Sequence, residues 1–144
     1  MSKKESPDEE LDPLTQEHLK DVVRHIKQVQ DNAQLLADRL IMKGEVTFAI
    51  NLIANAMRHD QSKFNGIEWD ALRASSDDDS LLLLAHKQHV YTNEHHPEFW
   101  GGIDDMPRIF VAEMVCDWKA RSSEKGDNLR EWIKINASKR FEFG

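Results

Sequence analysis

Apolar residues recur at three- and four-residue steps from Leu14 onward, the spacing of one face of an α-helix. Leu19, Val22, Val23, Ile26, Val29, Ala33, Leu36, Ala37, Leu40 and Ile41 carry this stripe to a stop near Gly44. A second helix is predicted from Glu45 to Arg58, with Val46, Ala49, Ile50, Ile53, Ala54 and Met57 on one face. The stretch His59-Asp60-Gln61-Ser62-Lys63-Phe64-Asn65-Gly66 interrupts the pattern, and a short helix follows from Glu68 to Ala74. Ser75-Ser76-Asp77-Asp78-Asp79 is a polar link whose last residues suit the N-cap of a helix over Ser80 to Thr92. Asn93 to Asp105 contains His-His-Pro and Gly-Gly and reads as an ordered loop. Pro107 suits a first helical turn, and Ile109, Phe110, Ala112, Met114, Val115 and Trp118 continue that helix to Ser122. Gly126-Asp127-Asn128 breaks it before a last helix over Leu129 to Ser138. No segment alternates with the period of a strand, and there is no internal repeat. The expected architecture is all-α, a compact bundle of about five to seven helices.

Composition narrows the class. A length of 144 residues suits one domain. Residues 1–13 are dense in charge and poor in apolar side chains, so they read as a disordered acidic tail ahead of a single domain over 14–144. With 40% hydrophobic and 31% charged residues the chain falls among globular proteins. Its longest apolar run, Leu81 to Ala85, is far short of the ~20 residues of a membrane span, so no membrane association is expected. The first residues carry no apolar signal core, and the single cysteine, Cys116, allows no internal disulfide. Both features point to a reducing, cytoplasmic setting. Cys116 itself reads as a small buried apolar residue. A formal charge of −7 argues against bulk nucleic-acid binding, which requires a basic face. A homo-oligomer is compatible with everything so far.

The histidines change the picture. There are seven, and five fall between His59 and His96. His59-Asp60 closes an apolar helix; adjacent residues on a helix point about 100° apart, so both reach one ion only at a helix end. His25 lies on the Val22/Ile26/Val29 side of the first helix, near the core boundary. Asp117 lies in the helix of Val115 and Trp118, where an uncompensated carboxylate would be costly. His89 closes the fourth helix, with His95 and His96 just beyond. Imidazole and carboxylate together suit one or two divalent transition-metal ions (Mn, Fe, Zn, Co or Ni). In order along the chain the set is His25, His59-Asp60, His89, His95-His96 and Asp117. His18 reads as solvent-facing, and His86 stands outside the set.

This order resembles the HD-domain superfamily of metal-dependent phosphohydrolases, whose helical bundle supplies His, His-Asp and a late Asp to a metal. The resemblance maps that set onto His25, His59, Asp60 and Asp117. His59-Asp60-Gln61-Ser62-Lys63 is similar to the H-D-x-x-K variant of these enzymes, which implies that Lys63 faces substrate phosphate. In the two-metal branch, His89 and one or both of His95 and His96 would hold a second ion. Gly101-Gly102-Ile103 stands where that branch carries Gly-Tyr-Pro, so a cyclic-dinucleotide substrate does not follow from the resemblance. From His25 to Trp132 the chain also resembles a family of small phage and bacterial proteins known only as a domain of unknown function. Its pattern runs through His59 to Lys63, His89 to Glu98 and Glu113 to Ala120.

The expectation is a metal-dependent phosphohydrolase acting on a small phosphorylated molecule, foremost a nucleotide, through a metal-activated water. Asp60, Lys63 and Glu113 are the expected catalytic residues. Glu113, four residues before Asp117, could orient a ligand histidine; Glu68 and Glu98 are further candidates for that duty or for proton transfer. Lys63, with Arg58 or Lys119 in support, would offset phosphate charge. Lys63, Asn93 and Trp100 form the expected substrate-binding set, Trp100 as a stacking surface for a base. Asn93 also suits a helix terminus. Two alternatives stand beside this: a di-iron oxygenase on the same scaffold, and a non-catalytic metal-containing binding or inhibitory protein.

Overall fold

The computed structural model describes residues 11–73, 79–126 and 128–140. Expectations for residues 1–10 and for Ser75 to Asp78 in the polar link lie outside the described residues. Among those described there are six α-helices, three short 3₁₀ turns and no strand, the expected all-α architecture.

Helix α1 (Pro13–Met42) begins one residue before Leu14. Asp12 accepts hydrogen bonds from the backbone N–H of Thr15 at 3.0 Å and from its hydroxyl at 2.6 Å, with Pro13 in the first turn. The expected tail over 1–13 is therefore too long at its C-terminal end. Asp12 and Pro13 belong to the domain, because a carboxylate satisfies helix-end N–H groups that would otherwise be unpaired. Lys43 closes α1, and Gly44, at φ 85°, turns the chain into α2 (Val46–Met57).

A 3₁₀ turn at Gln61–Phe64 leads to α3 (Gly66–Arg73), which packs on α4 (Asp79–Thr92). The expected loop holds two more 3₁₀ turns, Pro97–Trp100 and Ile103–Asp105. Pro107 is the N-cap residue of α5 (Arg108–Glu124), and α6 (Leu129–Arg140) follows. No described helix is long and apolar enough to cross a membrane.

The core has two parts with α5 between them. Val29, Ala33, Leu52, Ala56, Cys116 and Ala120 join α1, α2 and α5. Their many alanines let three backbones approach closely. Met106, Met114, Trp118 and Trp132 form the second part, toward α6. Because α5 is buried on opposite sides, it shows no single apolar face, and its polar residues Glu113 and Asp117 are carried inside with it.

Candidate metal centre

Every expected metal ligand is brought to one place. His25 comes from the buried stripe of α1 that continues through Val29, Ala33 and Ala37 at four-residue steps. His59 and Asp60 follow the end of α2, and Asp60 adopts a left-handed backbone, φ 56° and ψ 20°. It is the one non-glycine residue with positive φ among those described. Asp tolerates that region better than most residues, and the reversal lets two neighbouring side chains face the same interior point. His89 comes from the last turn of α4, His95 and His96 from the loop after it, and Asp117 from α5.

Asp60 is the hub. Its Oδ2 lies 3.3 Å from His59 Nε2 and 3.9 Å from His25 Nε2. Its Oδ1 lies 3.0 Å from His89 Nε2 and 3.1 Å from His95 Nε2. Asp117 Oδ1 is 2.7 Å from His25 Nε2 and 3.8 Å from His59 Nε2. Three overlapping groups have donor atoms within 4.8 Å of one another: His25, His59 and Asp60; His59, His95 and Asp117; and Asp60, His89, His95 and His96. These groups could hold a metal ion, and the two oxygens of Asp60 face two different sets of rings.

For His25, His59, His89 and His95 the opposite ring nitrogen is taken. His25 Nδ1 lies 2.7 Å from Glu124 Oε1, and His89 Nδ1 lies 2.6 Å from Glu68 Oε1. A single oxygen of Glu113, Oε2, receives His59 Nδ1 at 2.8 Å and His95 Nδ1 at 2.9 Å. A ring whose Nδ1–H donates to a carboxylate presents Nε2 as a free lone pair, the tautomer that binds metal. The Nε2 atoms of His25, His59, His95 and His96 and the Oδ1 atoms of Asp60 and Asp117 are buried without completing a hydrogen bond. Unsatisfied buried polar atoms are costly, and this many converging on one point fit a bound cation better than an empty core.

Electrostatics tell the same story. Burial works against charge on Asp60, but the fields and contacts of His59, His89 and His95 hold its carboxyl well below the usual range. Burial likewise opposes charge on Asp117, and contact with His25 and the field of His59 keep it low. Glu113 and Glu68 are lowered against their burial by the histidines they hold. Burial would pull His59 down, yet Asp60, Glu113 and Asp117 raise it to about 10. His89 and His95 rise in the same way. His96 instead falls to about 2, through burial and the neighbouring charges of His95 and His89. A nest of carboxylates thus demands positive charge, which protons supply when no metal does.

A cavity of about 860 Å³ opens onto this centre. Asp60, His89, His96 and Asp117 line its inner end. Lys63 lies beside them, its Nζ 3.2 Å from Asp60 Oδ2. Apolar wall comes from Leu72, Leu82, Trp118 and Trp132, and further cations from Arg121 and Lys125.

Several expectations need correcting. Trp100 does not line the cavity: it packs on Phe99 and Phe110, with its indole N–H donating to the Glu94 carbonyl. The aromatic wall is made by Trp118 and Trp132 instead. Asn93 is turned to the protein, its amide donating to Ser62 Oγ and to the His89 carbonyl at 2.9 Å each, as a helix-terminus residue does. Arg58 pairs with Asn55, Lys119 is exposed, and neither reaches the cavity; Arg121 and Lys125 do. His18 is half-buried, its Nδ1 3.3 Å from the Leu72 carbonyl, and it joins the cavity wall with His86. Cys116 is buried as expected, which pushes its thiol up to about 12. Sequence reasoning missed Glu124. Its signal was spacing, because Glu124 lies seven residues after Asp117 and so returns to the same face of α5.

With the fold and centre described, the chain can be placed: residues 14–143 match the model of a family of unknown function, DUF5662, and the chain belongs to that family. No curated protein and no solved structure is significantly similar to it.

Proposed function

We propose that this protein is a metal-dependent phosphohydrolase acting on a small phosphorylated molecule, with a nucleotide as the foremost candidate. The observation that carries this reading is Asp60, whose two oxygens face separate histidine groups at the inner end of a cavity that also holds Lys63. The resemblance of His25, His59-Asp60, Lys63 and Asp117 to the HD-type phosphohydrolase pattern supports it.

A divalent ion held by these residues supplies Lewis-acid polarisation of a phosphoryl oxygen and acidification of a water. The chain's own residues do the rest. Glu113, Glu68 and Glu124 fix the rings so that Nε2 faces the centre. Lys63 places an ammonium beside the centre, where it offsets phosphate charge that an acidic protein would otherwise repel. Burial favours the neutral ring of His96, which leaves it a lone pair to offer. Trp118 and Trp132 give the cavity an aromatic wall suited to a base.

A closed structural metal site has no use for an adjoining cavity of this size, which weighs against a purely non-catalytic reading. The di-iron oxygenase alternative draws on the same donors, and Lys63 at Asp60 favours phosphate chemistry over it. The test is turnover of a panel of nucleotides and simple phosphoesters by protein loaded with Mn, Fe, Zn, Co or Ni. Phosphate release should vanish in chelator and in Asp60→Asn. Metal-loaded protein that hydrolyses nothing in the panel, or that consumes oxygen with iron bound, would defeat the proposal.

A further inference from the structure

The inner face of α5 does not end at the metal centre. Asp117, Arg121 and Lys125 follow one another at four-residue steps and all three line the cavity. At a rise of 1.5 Å per residue, the two cations sit about 6 Å and about 12 Å along the axis from Asp117, toward the C-terminal end of the helix. Arg121 is anchored rather than loose, with Nη1 3.2 Å from Glu124 Oε2, whose other oxygen holds His25. Lys125 makes no ion pair with any described residue and closes the helix, where the terminal carbonyls make a cation favourable. Together with Lys63, this puts three permanent positive charges on one cavity of a protein whose formal charge is −7.

One phosphoryl group at the metal centre, faced by Lys63, leaves Arg121, which is shared with Glu124, and Lys125 without a partner on the ligand. Arg121 is partly exposed and Lys125 exposed, yet both line the cavity, whose remaining wall is mostly apolar, from Leu14, Val22, Leu72, Leu82, Trp118 and Trp132, with Glu68 and Asp79 as its further carboxylates. We infer that Arg121 and Lys125 form a second anion subsite, and that the ligand carries a second phosphate group set apart from the one held at the metal centre. The inference rests on the phosphohydrolase reading for the identity of the first group, and adds the ligand's second charge and the residues that select it. Arg121 does so as a fixed fork and Lys125 as a mobile point charge at the cavity mouth.

Two probes that differ only in the second phosphate test this: adenosine monophosphate, and adenosine carrying phosphates at both ends of its ribose. Binding to the manganese-loaded full chain is measured by calorimetry, and phosphate release is followed separately. Wild-type protein should bind the bisphosphate about tenfold more tightly, an ordinary increment for one well-placed charge contact. Lys125→Gln should bring the two affinities to within about twofold, with the larger loss on the bisphosphate. Arg121→Lys, which keeps the charge near Glu124 but loses the fork, should reduce the preference in part. Equal affinities in the wild type, binding of neither probe, or a preference that survives Lys125→Gln would each overturn the inference. The phosphohydrolase reading fails differently: the bisphosphate preference would persist with no phosphate released from either probe or from the wider panel.

Discussion

The oxygen Oε2 of Glu113 holds two histidines at once, His59 at 2.8 Å and His95 at 2.9 Å, whereas Glu124 holds one histidine, His25, with its other oxygen on Arg121. Replacing either carboxylate by an amide leaves the shape but removes the strong acceptor. Carboxylates that orient ligand histidines are typically worth about 10- to 100-fold in metal affinity. Glu113→Gln should fall at the upper end of that range and Glu124→Gln at the lower, as read by competition with a metal-sensitive dye; equal losses would show that the shared oxygen has no special weight. His59 allows a second prediction at this scale. In the metal-free chain its pKa is raised from 6.5 to about 10. A raised pKa contributes stability that is fully present below the unfolded value near 6.5 and is lost as pH rises through about 10. Chelator-treated protein should therefore lose thermal stability between about pH 7 and about pH 10. With metal bound the ring nitrogen carries no proton to lose, so the metal-loaded chain should show a flatter profile in the same melts.

Among the helices, α5 does most to assemble the centre, since it contributes Glu113, Asp117 and Glu124 as well as Arg121. Its burial on opposite sides is what lets so many polar groups share one helix, because each points into a layer where another element meets it. α1 and α2 support it through small residues and one large one, Leu52, which is fully buried. Leu52→Ala should cost about 2 to 5 kcal/mol, the transfer term plus an unfilled cavity. Asp12→Ala, which removes only the cap of α1, should cost about 1 kcal/mol. Denaturant melts of the two variants compare them directly; a cap variant as damaging as the core variant would mean that the first turn of α1 carries more of the fold than its contacts indicate. The helix positions were legible from periodicity to within a residue or two, as α2 shows, expected over Glu45 to Arg58 and found at Val46–Met57. The start of α1 was less so, because Asp12 in a charged run looks like solvated chain until its side chain is seen on Thr15.

For the whole molecule, an ion held among these carboxylates would couple metal binding to folding. Asp60, Asp117, Glu68 and Glu113 are all buried around one centre, and the compensating charge is carried by protons or by metal. A ligand that binds only the folded chain stabilises it by about 2.7 kcal/mol when present at a hundredfold over its Kd. For a chain of this size that corresponds to a rise in Tm of about 5 to 10 °C. Scanning calorimetry with and without chelator reads this shift, and an unchanged Tm would speak against a resident ion. The charge of −7 also takes on a different sense, since part of it is internal, at the candidate metal centre, while Lys63, Arg121 and Lys125 line the adjoining cavity.

By itself the sequence determined the helical architecture, and its histidines and acids named the candidate ligands, His25, His59, Asp60, His89, His95, His96 and Asp117. Both are local information: periodicity is read within one helix, and residue type decides what a side chain can ligate. Only the tertiary structure decided which carboxylate meets which ring, that Trp118 and Trp132 rather than Trp100 form the aromatic wall, and that Arg121 and Lys125 rather than Arg58 and Lys119 reach the cavity. Glu124 meets His25 across 99 positions of chain. Such pairings depend on how helices cross and which faces they turn inward, and packing settles that jointly for all six.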